Sequence, residues 1–564
     1  MMSDESDGRA AAGERAVSWR RAVVEILLIA AIFAAAGCWP VPDVNETVYL
    51  TKARHASDPA YGSGDFFLET PDAHGIFYLV IGPLAAAVSL ETAAWIGRIA
   101  GWLALAVGFR HLARALTAGS GQRATLLRLA AAAIFSLALR QTTAAGEWVI
   151  GGCEAKVFAW ALVLGGLGEF VGGRFAAAWL LMGGGTAFHP IVGGWAMIAT
   201  VPAWLATRPR HTATARPRAA LTAAGLLGGL ALAAAGIVPA LLLSSGAEPA
   251  IREQAARIYV AERLPHHLLP GAFPPGFIAR HLLAILVWWL LDRLAPAAVA
   301  RQRLTAFTLA ALGISAAGLA IAAAEPWAAA TVFGLLRYYW FRLGDVAVPL
   351  ALAFSATAVL ADDAACRRLG RSPAVVRGIV AVMLLADLAA QSAHWPLPGR
   401  GLPPRADSKV EPAAWADACE WLRVHAPPNS PVLTPRGAAS LTWRTGLPEV
   451  VAWKNSPQDA GSLVEWRRRM IDCFSADGSF RGMERSTAAL GEKRLRTVAD
   501  RYGASIAIVP LATPGLADLP FERLHANEGY VVLQLDPPAG PAERLAPAAG
   551  TPRATRPASP PSAE

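Results

Sequence analysis

Asp43-Val-Asn-Glu46 sits just after Pro40-Val-Pro42 and places two carboxylates three residues apart at the start of a helical pattern. A carboxylate within hydrogen-bond reach of a hydroxyl takes its proton during group transfer. Asp43 and Glu46 are therefore both candidates for that role. A second stretch, Glu147-Trp-Val-Ile-Gly-Gly-Cys-Glu154-Ala-Lys156, brings two more acids and a lysine. Arg98, Arg140, Arg337 and Arg342 lie near the ends of apolar runs. A guanidinium there stabilises a departing phosphate through paired hydrogen bonds. Two or three carboxylates, Asp43 and Glu154 foremost, would instead hold Mg²⁺ or Mn²⁺ against that phosphate. His189, in Phe188-His189-Pro190, is a candidate contact for a diphosphate or a sugar hydroxyl. Lys454, Gln458 and Asp459, flanked by Trp453, form a candidate acceptor-sugar surface.

Each of these has a plainer reading. Asp43 and Glu46 fit a capping box, in which each side chain satisfies a backbone N–H at a helix start. A single arginine at a span end often snorkels to the interface. Arg342 and Asp345 are spaced to form an ion pair one turn apart. A lone histidine such as His189 is more often a hydrogen-bonded turn residue than a ligand, and Asp459 reads as the entry to a helix. His266-His267 falls in a stretch that reads as an amphipathic surface helix rather than a metal site. The runs Gly183-Gly-Gly and Gly193-Gly lack a following Gly-Lys-Ser/Thr, so they suit close helix packing rather than phosphate.

The elements that must position these groups follow from composition. Of 564 residues 54% are hydrophobic and only 16% charged, against roughly 25% charge in an ordinary soluble chain. That excludes a soluble globule, a collagen-like fibre and a disulfide-stapled secreted module. The apolar mass falls in blocks near 22–38, 92–116, 124–140, 155–172, 174–188, 190–207, 219–244, 276–292, 304–323, 340–361 and 374–392. Read as spans, these make about eleven crossings, so the two termini lie on opposite sides. Arg20 and Arg21 precede the first block, and no small-residue cleavage site follows it, so it reads as a retained span. Alternate loops carry Arg123 and Arg128; Arg208, Arg210, Arg216 and Arg218; Arg293, Arg301 and Arg303; and Arg367, Arg368, Arg371 and Arg377. The positive-inside bias then puts the N-terminus in the cytoplasm and the C-terminus outside. The apolar stretch 75–90 would invert this order if it crossed, and reads instead as a re-entrant or surface helix in the first outer loop, 40–91.

From about Trp395 charge rises and helices at Glu411–His425 and Ser462–Phe474 alternate with strand-like runs at Ser430–Leu433, Glu449–Ala452, Ser505–Pro510 and Tyr530–Leu535. The expected fold is therefore an all-α polytopic bundle over 20–394 carrying a small α/β extracytoplasmic domain over 395–536. Disordered tails are expected at 1–19 and 537–564. Five cysteines without CxxC spacing are expected to be free thiols. The net charge of +9 sits in membrane-flanking loops, which argues for no nucleic-acid partner.

Many short spans, a long acidic first outer loop and an outer C-terminal domain resemble the GT-C glycosyltransferase superfamily. Asp43-Val-Asn-Glu46, Asp65-Phe-Phe-Leu68, Gly152-Cys-Glu154-Ala-Lys156, Phe188-His189-Pro190, Phe341-Arg342-Leu-Gly-Asp345 and Trp453-Lys454-Asn455-Ser-Pro457-Gln458-Asp459 look like those of uncharacterised bacterial multi-pass proteins of this type, over about 40–540. The resemblance implies transfer of a sugar from a polyprenyl-phosphate donor, held at the membrane lipid surface, to an acceptor on the outer face. Asp43 would then be the base, with Glu154 or Glu147 binding metal or donor phosphate. Lys156, His189, Arg342 and Arg98 would lie around that phosphate. The departure is that Asp43 and Glu46 are not adjacent, which leaves open which is the base and whether a metal is needed. A transporter or flippase of lipid-linked glycans, and a non-catalytic envelope scaffold, are the competing readings. Transporters place ionisable residues at the midplane, whereas these charges gather at one edge.

Overall fold

The computed structural model describes residues 2–208 and 215–535, with side chains for 19–208 and 219–535. The tail 537–564 and the loop arginines Arg210, Arg216 and Arg218 lie outside the described side chains. The first helices are α1 (Met2–Gly37), α2 (Glu46–Ser57), α3 (Gly75–Ala87), α4 (Leu90–Leu116), α5 (Ala124–Gln141), α6 (Ala155–Val171), α7 (Phe175–Phe188), α8 (Pro190–Thr207) and α9 (Ala215–Leu242). After them come the helices Pro275–Leu294, Val299–Ala323, Arg342–Ala361 and Pro373–Ser392. The chain is an α-helical multi-pass membrane protein with a small C-terminal sheet.

Seven helices among the described residues are long and apolar enough to cross a membrane. The expected count of about eleven is therefore corrected. The apolar runs at 155–172 and 174–188 do fold as helices, but α6 has 17 residues and α7 has 14. At a rise of 1.5 Å per residue they reach about 25 and 21 Å, short of a hydrocarbon core of about 30 Å. The runs at 22–38 and 276–292 are also helical, the latter within Pro275–Leu294, which carries Arg280, Asp292 and Arg293. Segment 1–19, expected as a disordered tail, continues α1; its alanines, glutamates and arginines are good helix formers. The stretch 75–90 forms the 13-residue α3, too short to cross.

Small residues set the helix spacing. A Cβ on Gly183 would meet the Gly229 carbonyl oxygen at 2.1 Å, so α7 and α9 touch backbone to backbone. The loops at the two ends of the bundle differ in charge. At one end Glu25 receives Arg110 at 2.7 Å and Arg128 at 2.7 Å, and Arg303 donates to the Val171 carbonyl. At the other end gather the first outer loop, the 142–154 loop, the α7–α8 turn and the C-terminal domain. Asp345, near the start of Arg342–Ala361, accepts the backbone N–H groups of Ala144, Ala145 and Glu147 at 2.6, 2.9 and 3.1 Å. One buried carboxylate thus fixes the 142–154 loop against the bundle.

The C-terminal domain is built on the sheet β1 (Val432–Leu433), β2 (Ile506–Pro510), β3 (Glu522–Ala526) and β4 (Tyr530–Gln534), in the order β1-β2-β4-β3. β1 and β2 are parallel, and the other pairs antiparallel. The inner strands alternate between two packed faces, one around Trp466 and the other around Trp415. The strand expected at Glu449–Ala452 reduces to one bridge, Val432 with Glu449. All five cysteines are free. Asp65 docks the domain to the first outer loop, accepting from Glu449 N–H at 2.8 Å, Thr442 Oγ1 at 3.2 Å and Leu68 N–H at 2.9 Å.

Candidate functional site

The docked domain roofs two adjoining hollows at the acidic end of the bundle. The inner chamber, of roughly 280 Å³, is lined by Tyr49, His74, Glu147, Lys156, His189 and Arg342 from the membrane part, and by Lys454 and Gln458 from above. The outer chamber, of roughly 1150 Å³, lies between the 405–414 segment, the sheet and Trp453. Arg263 and Lys454 line both. Val44 faces the outer chamber and Asn45 the inner one.

Within the inner chamber cations and carboxylates interleave. Arg342 Nε donates to Glu147 Oε2 at 2.6 Å and its guanidinium stacks 3.8 Å from the Tyr339 ring centroid. Tyr339 holds a φ of 57°, an uncommon backbone state for a non-glycine residue. Lys156 Nζ lies 3.8 Å from Glu147 Oε1 and 3.6 Å from Glu154 Oε2, over the Trp148 ring at 3.4 Å. Glu154 also accepts from Asn45 Nδ2 at 3.0 Å and Trp148 Nε1 at 3.3 Å. Burial raises the Glu154 carboxyl above its usual range, and Lys156 and Asn45 pull it back. Burial also pushes the Lys454 ammonium down to about 7, helped by Arg263 and opposed by Glu154 and Asp43. His267 is driven to about 3 by burial and is neutral; its Nδ1 hydrogen-bonds the Ala145 carbonyl at 2.5 Å. Asp72 holds His74 Nδ1 at 2.6 Å, and the His74 ring lies 5.0 Å from His189.

Several expectations are corrected. Glu46 is not available as a base. Arg98 grips it with two bonds of 2.7 and 2.6 Å, and the N–H groups of Cys153 and Asp43 add 2.9 and 2.7 Å. All the acceptor positions of the carboxylate are taken. A Cβ on Gly152 would stand 2.7 Å from Glu46 Oε1, so that glycine admits the carboxylate. Half of the capping box forms, from Glu46 back to the Asp43 N–H, but Asp43 itself accepts from Val44 N–H at 2.7 Å. Arg98, held by Glu46 and the Trp39 carbonyl, lines neither chamber and so does not reach a phosphate there. Arg140 is paired with Asp387. Asp459 caps the helix Ala460–Phe474, accepting from Ser462 N–H at 2.8 Å, and lines neither chamber. His189 is both chamber wall and cap, its Nδ1 accepting from Val192 N–H at 3.4 Å.

Asp43 lines neither chamber; it lies behind Arg405, 3.4 Å from Nε, beside the residues that face each hollow. A divalent cation does not fit here. No cluster of three or more His, Cys, Asp or Glu side chains suited to a metal occurs among the described residues. Glu147 and Glu154 each already face Lys156, and an ion between them would sit against that ammonium. The pairing of Asp43 and Glu154 as metal ligands, with Mg²⁺ or Mn²⁺, is therefore set aside.

One family matches part of the chain. A domain of unknown function, DUF6798, matches residues 413–473. A search of curated proteins returns no match. The matched segment supplies Lys454 and Gln458, so it forms the part of the roof that reaches both chambers.

Local sequence pattern left out Arg263, Tyr49, Tyr259 and Tyr339. Arg263 ends a π-helical turn, Ile258–Arg263, that rotates it off the surface face of the preceding helix. The only sequence cue is its position between Tyr259 and His266-His267.

Proposed function

We propose that the chain is a membrane glycosyltransferase of GT-C type, moving a sugar from a polyprenyl-phosphate donor to an acceptor outside the membrane. The observation that carries this reading is the meeting of Lys156, Arg342 and Lys454 with Glu147 around one hollow at the bundle's edge, with Glu154 buried against Lys156 behind it. In this reading the donor phosphate enters among the three cations, which stabilise its charge as the sugar leaves. His189 and Gln458 contact the sugar. Asp43, set behind Arg405 beside Val44 and Asn45, takes the proton of a hydroxyl arriving from the outer chamber when Arg405 swings off it. Glu147 and Glu154 hold the cations apart in positions a phosphate then bridges.

The same proposal places the basic loops in the cytoplasm of a bacterial cell and the C-terminal domain outside. The test uses the full chain in liposomes with labelled polyprenyl-phosphate sugar. Asp43→Asn and Glu154→Gln should each lower transfer by about 100-fold or more. Wild-type rates in both variants would end the enzyme reading. Passage of the intact labelled lipid across the bilayer without sugar transfer would replace it with the transporter.

A further inference from the structure

The outer chamber is far more cationic than a neutral sugar requires. Arg263, Arg405, Lys409, Arg436, Lys454 and Arg485 line it, against Glu411 and Glu528. They come from five separate stretches of chain, so no single helix face or charge run accounts for them. Among the described residues only Arg405 of the six has a carboxylate within ion-pair distance, Asp43 at 3.4 Å. Arg436 and Arg485 are held side by side by the Arg436 N–H to Arg485 carbonyl bond of 2.9 Å. Arg436 Nε is turned to the Glu484 carbonyl at 3.0 Å rather than to an acid. Placing like charges together without counter-ions raises the energy of the unoccupied hollow, and an anion relieves it.

A second observation points the same way. Arg263 is 8% exposed, yet its buried Nε has no hydrogen-bond partner. Arg263 lines both chambers and gives one donor, Nη2, to the Lys454 carbonyl at 3.4 Å, so its remaining donors stand at the passage between them. The chamber's size excludes a lone inorganic ion as the intended occupant. Roughly 1150 Å³ exceeds the usual small-ligand pocket of about 300–1,000 Å³ and suits several sugar units. Trp453 and Tyr530 add aromatic surface to the cationic walls. Such surface suits a ligand with both an apolar ring face and charge.

We infer that the outer chamber binds an anionic saccharide, one bearing phosphate or carboxylate groups. Its role as the acceptor rests on the proposed transfer reaction, whereas its charge preference rests on the chamber alone. The anionic groups engage Lys409, Arg436 and Arg485 at the outer wall, and the reacting hydroxyl points past Arg263 and Lys454 to the inner chamber.

The test measures binding of three fluorescent oligosaccharides of equal length to the full chain in phosphatidylcholine nanodiscs: one phosphorylated, one built of uronic acids, one neutral. An anionic probe should bind about tenfold or more tighter than the neutral one, and added salt should weaken it. Tighter binding of the phosphorylated probe identifies phosphate as the recognised group, and of the uronate probe carboxylate. Lys409 and Arg485 are exposed, so K409Q/R485Q leaves the fold intact and should weaken the anionic probe by about tenfold. Equal binding of the neutral probe, or wild-type affinity in K409Q/R485Q, overturns the inference. The transfer reading fails separately: wild-type transfer rates in both D43N and E154Q would overturn it, whatever the anionic-probe affinity. Anionic binding with no transfer by the wild type sinks the reaction and leaves the chamber's preference standing. Transfer to a neutral acceptor with no anionic binding does the reverse.

Discussion

Glu46 and Glu147 are both buried outer-loop carboxylates gripped by an arginine, yet they differ in what remains unspent. Glu46 accepts four hydrogen bonds, two from Arg98 and two from backbone, and contacts no chamber. Glu147 lines the inner chamber, and its Oε1 has no hydrogen-bond partner, with Lys156 Nζ 3.8 Å away. A saturated buried pair is architecture: it ties the first outer loop to α4 and to the second loop. An unsaturated pair beside an open hollow has bonding capacity left for something that enters. The difference separates structural from functional charge in a molecule where residue type alone does not.

The widest separation is expected in stability. Arg98→Ala leaves Glu46 charged, fully buried and half unpaired, which should cost about 3–5 kcal/mol. Glu147→Gln keeps an acceptor for Arg342 and faces a polar hollow, so its cost should be about 1 kcal/mol. Thermal unfolding of both variants in the same detergent measures the gap. Equal losses would mean that the two pairs are alike and that the inner chamber is simply another packed ion-pair layer.

Lys454 offers a sharper probe of unspent charge, through pH. Its ammonium is pushed down to about 7 from an ordinary 10.5, mainly by burial. Between those values the folded chain binds fewer protons than the unfolded one, so this group makes stability rise with pH across that window. An anion in the chamber has the opposite preference, since it holds the proton on Lys454. Binding of an anionic probe should therefore take up a proton above pH 7, and affinity should fall as pH rises. Calorimetry in two buffers of different ionisation enthalpy reads the uptake directly. Lys454→Met should abolish it; an unchanged uptake in that variant would take Lys454 out of the chamber's chemistry.

The gathering of the site at one end of the bundle was readable because ionisable groups near the bilayer are expensive and gather where a cavity relieves them. Glu147, Lys156, His189, Arg342, Lys454 and Gln458 all reach the inner chamber, from stretches as far apart as 147 and 458. The division of labour between Asp43 and Glu46 was not readable, because it depends on Arg98 and on the Cys153 N–H, 52 and 107 residues away from Glu46. The helices of the C-terminal domain follow their apolar periodicity, and β2 and β4 are buried runs with clear ends. β3 was missed because a shift between Arg523 and His525 breaks its alternation and leaves most of it exposed. The bundle's span count was overstated because an apolar run sets composition, whereas crossing also requires length.

Asp459 gives the smallest expected effect and the most exacting check on the contrast. Like Glu147, it is a buried carboxylate with an oxygen, Oδ2, that has no partner. Unlike Glu147, it lines neither chamber, and its other oxygen caps the helix Ala460–Phe474 through Ser462 N–H. If an orphan oxygen alone marked a ligand-binding group, Asp459→Ala would abolish binding of an anionic probe or sugar transfer. If the orphan must also face a hollow, the variant should lose only the cap, about 1 kcal/mol. Asp459→Asn, which keeps the capping oxygen, should then restore stability. Both variants should bind and transfer as the wild type does. Loss of transfer in Asp459→Ala at unchanged stability would return this residue to the acceptor surface and show that burial without a partner is sufficient by itself.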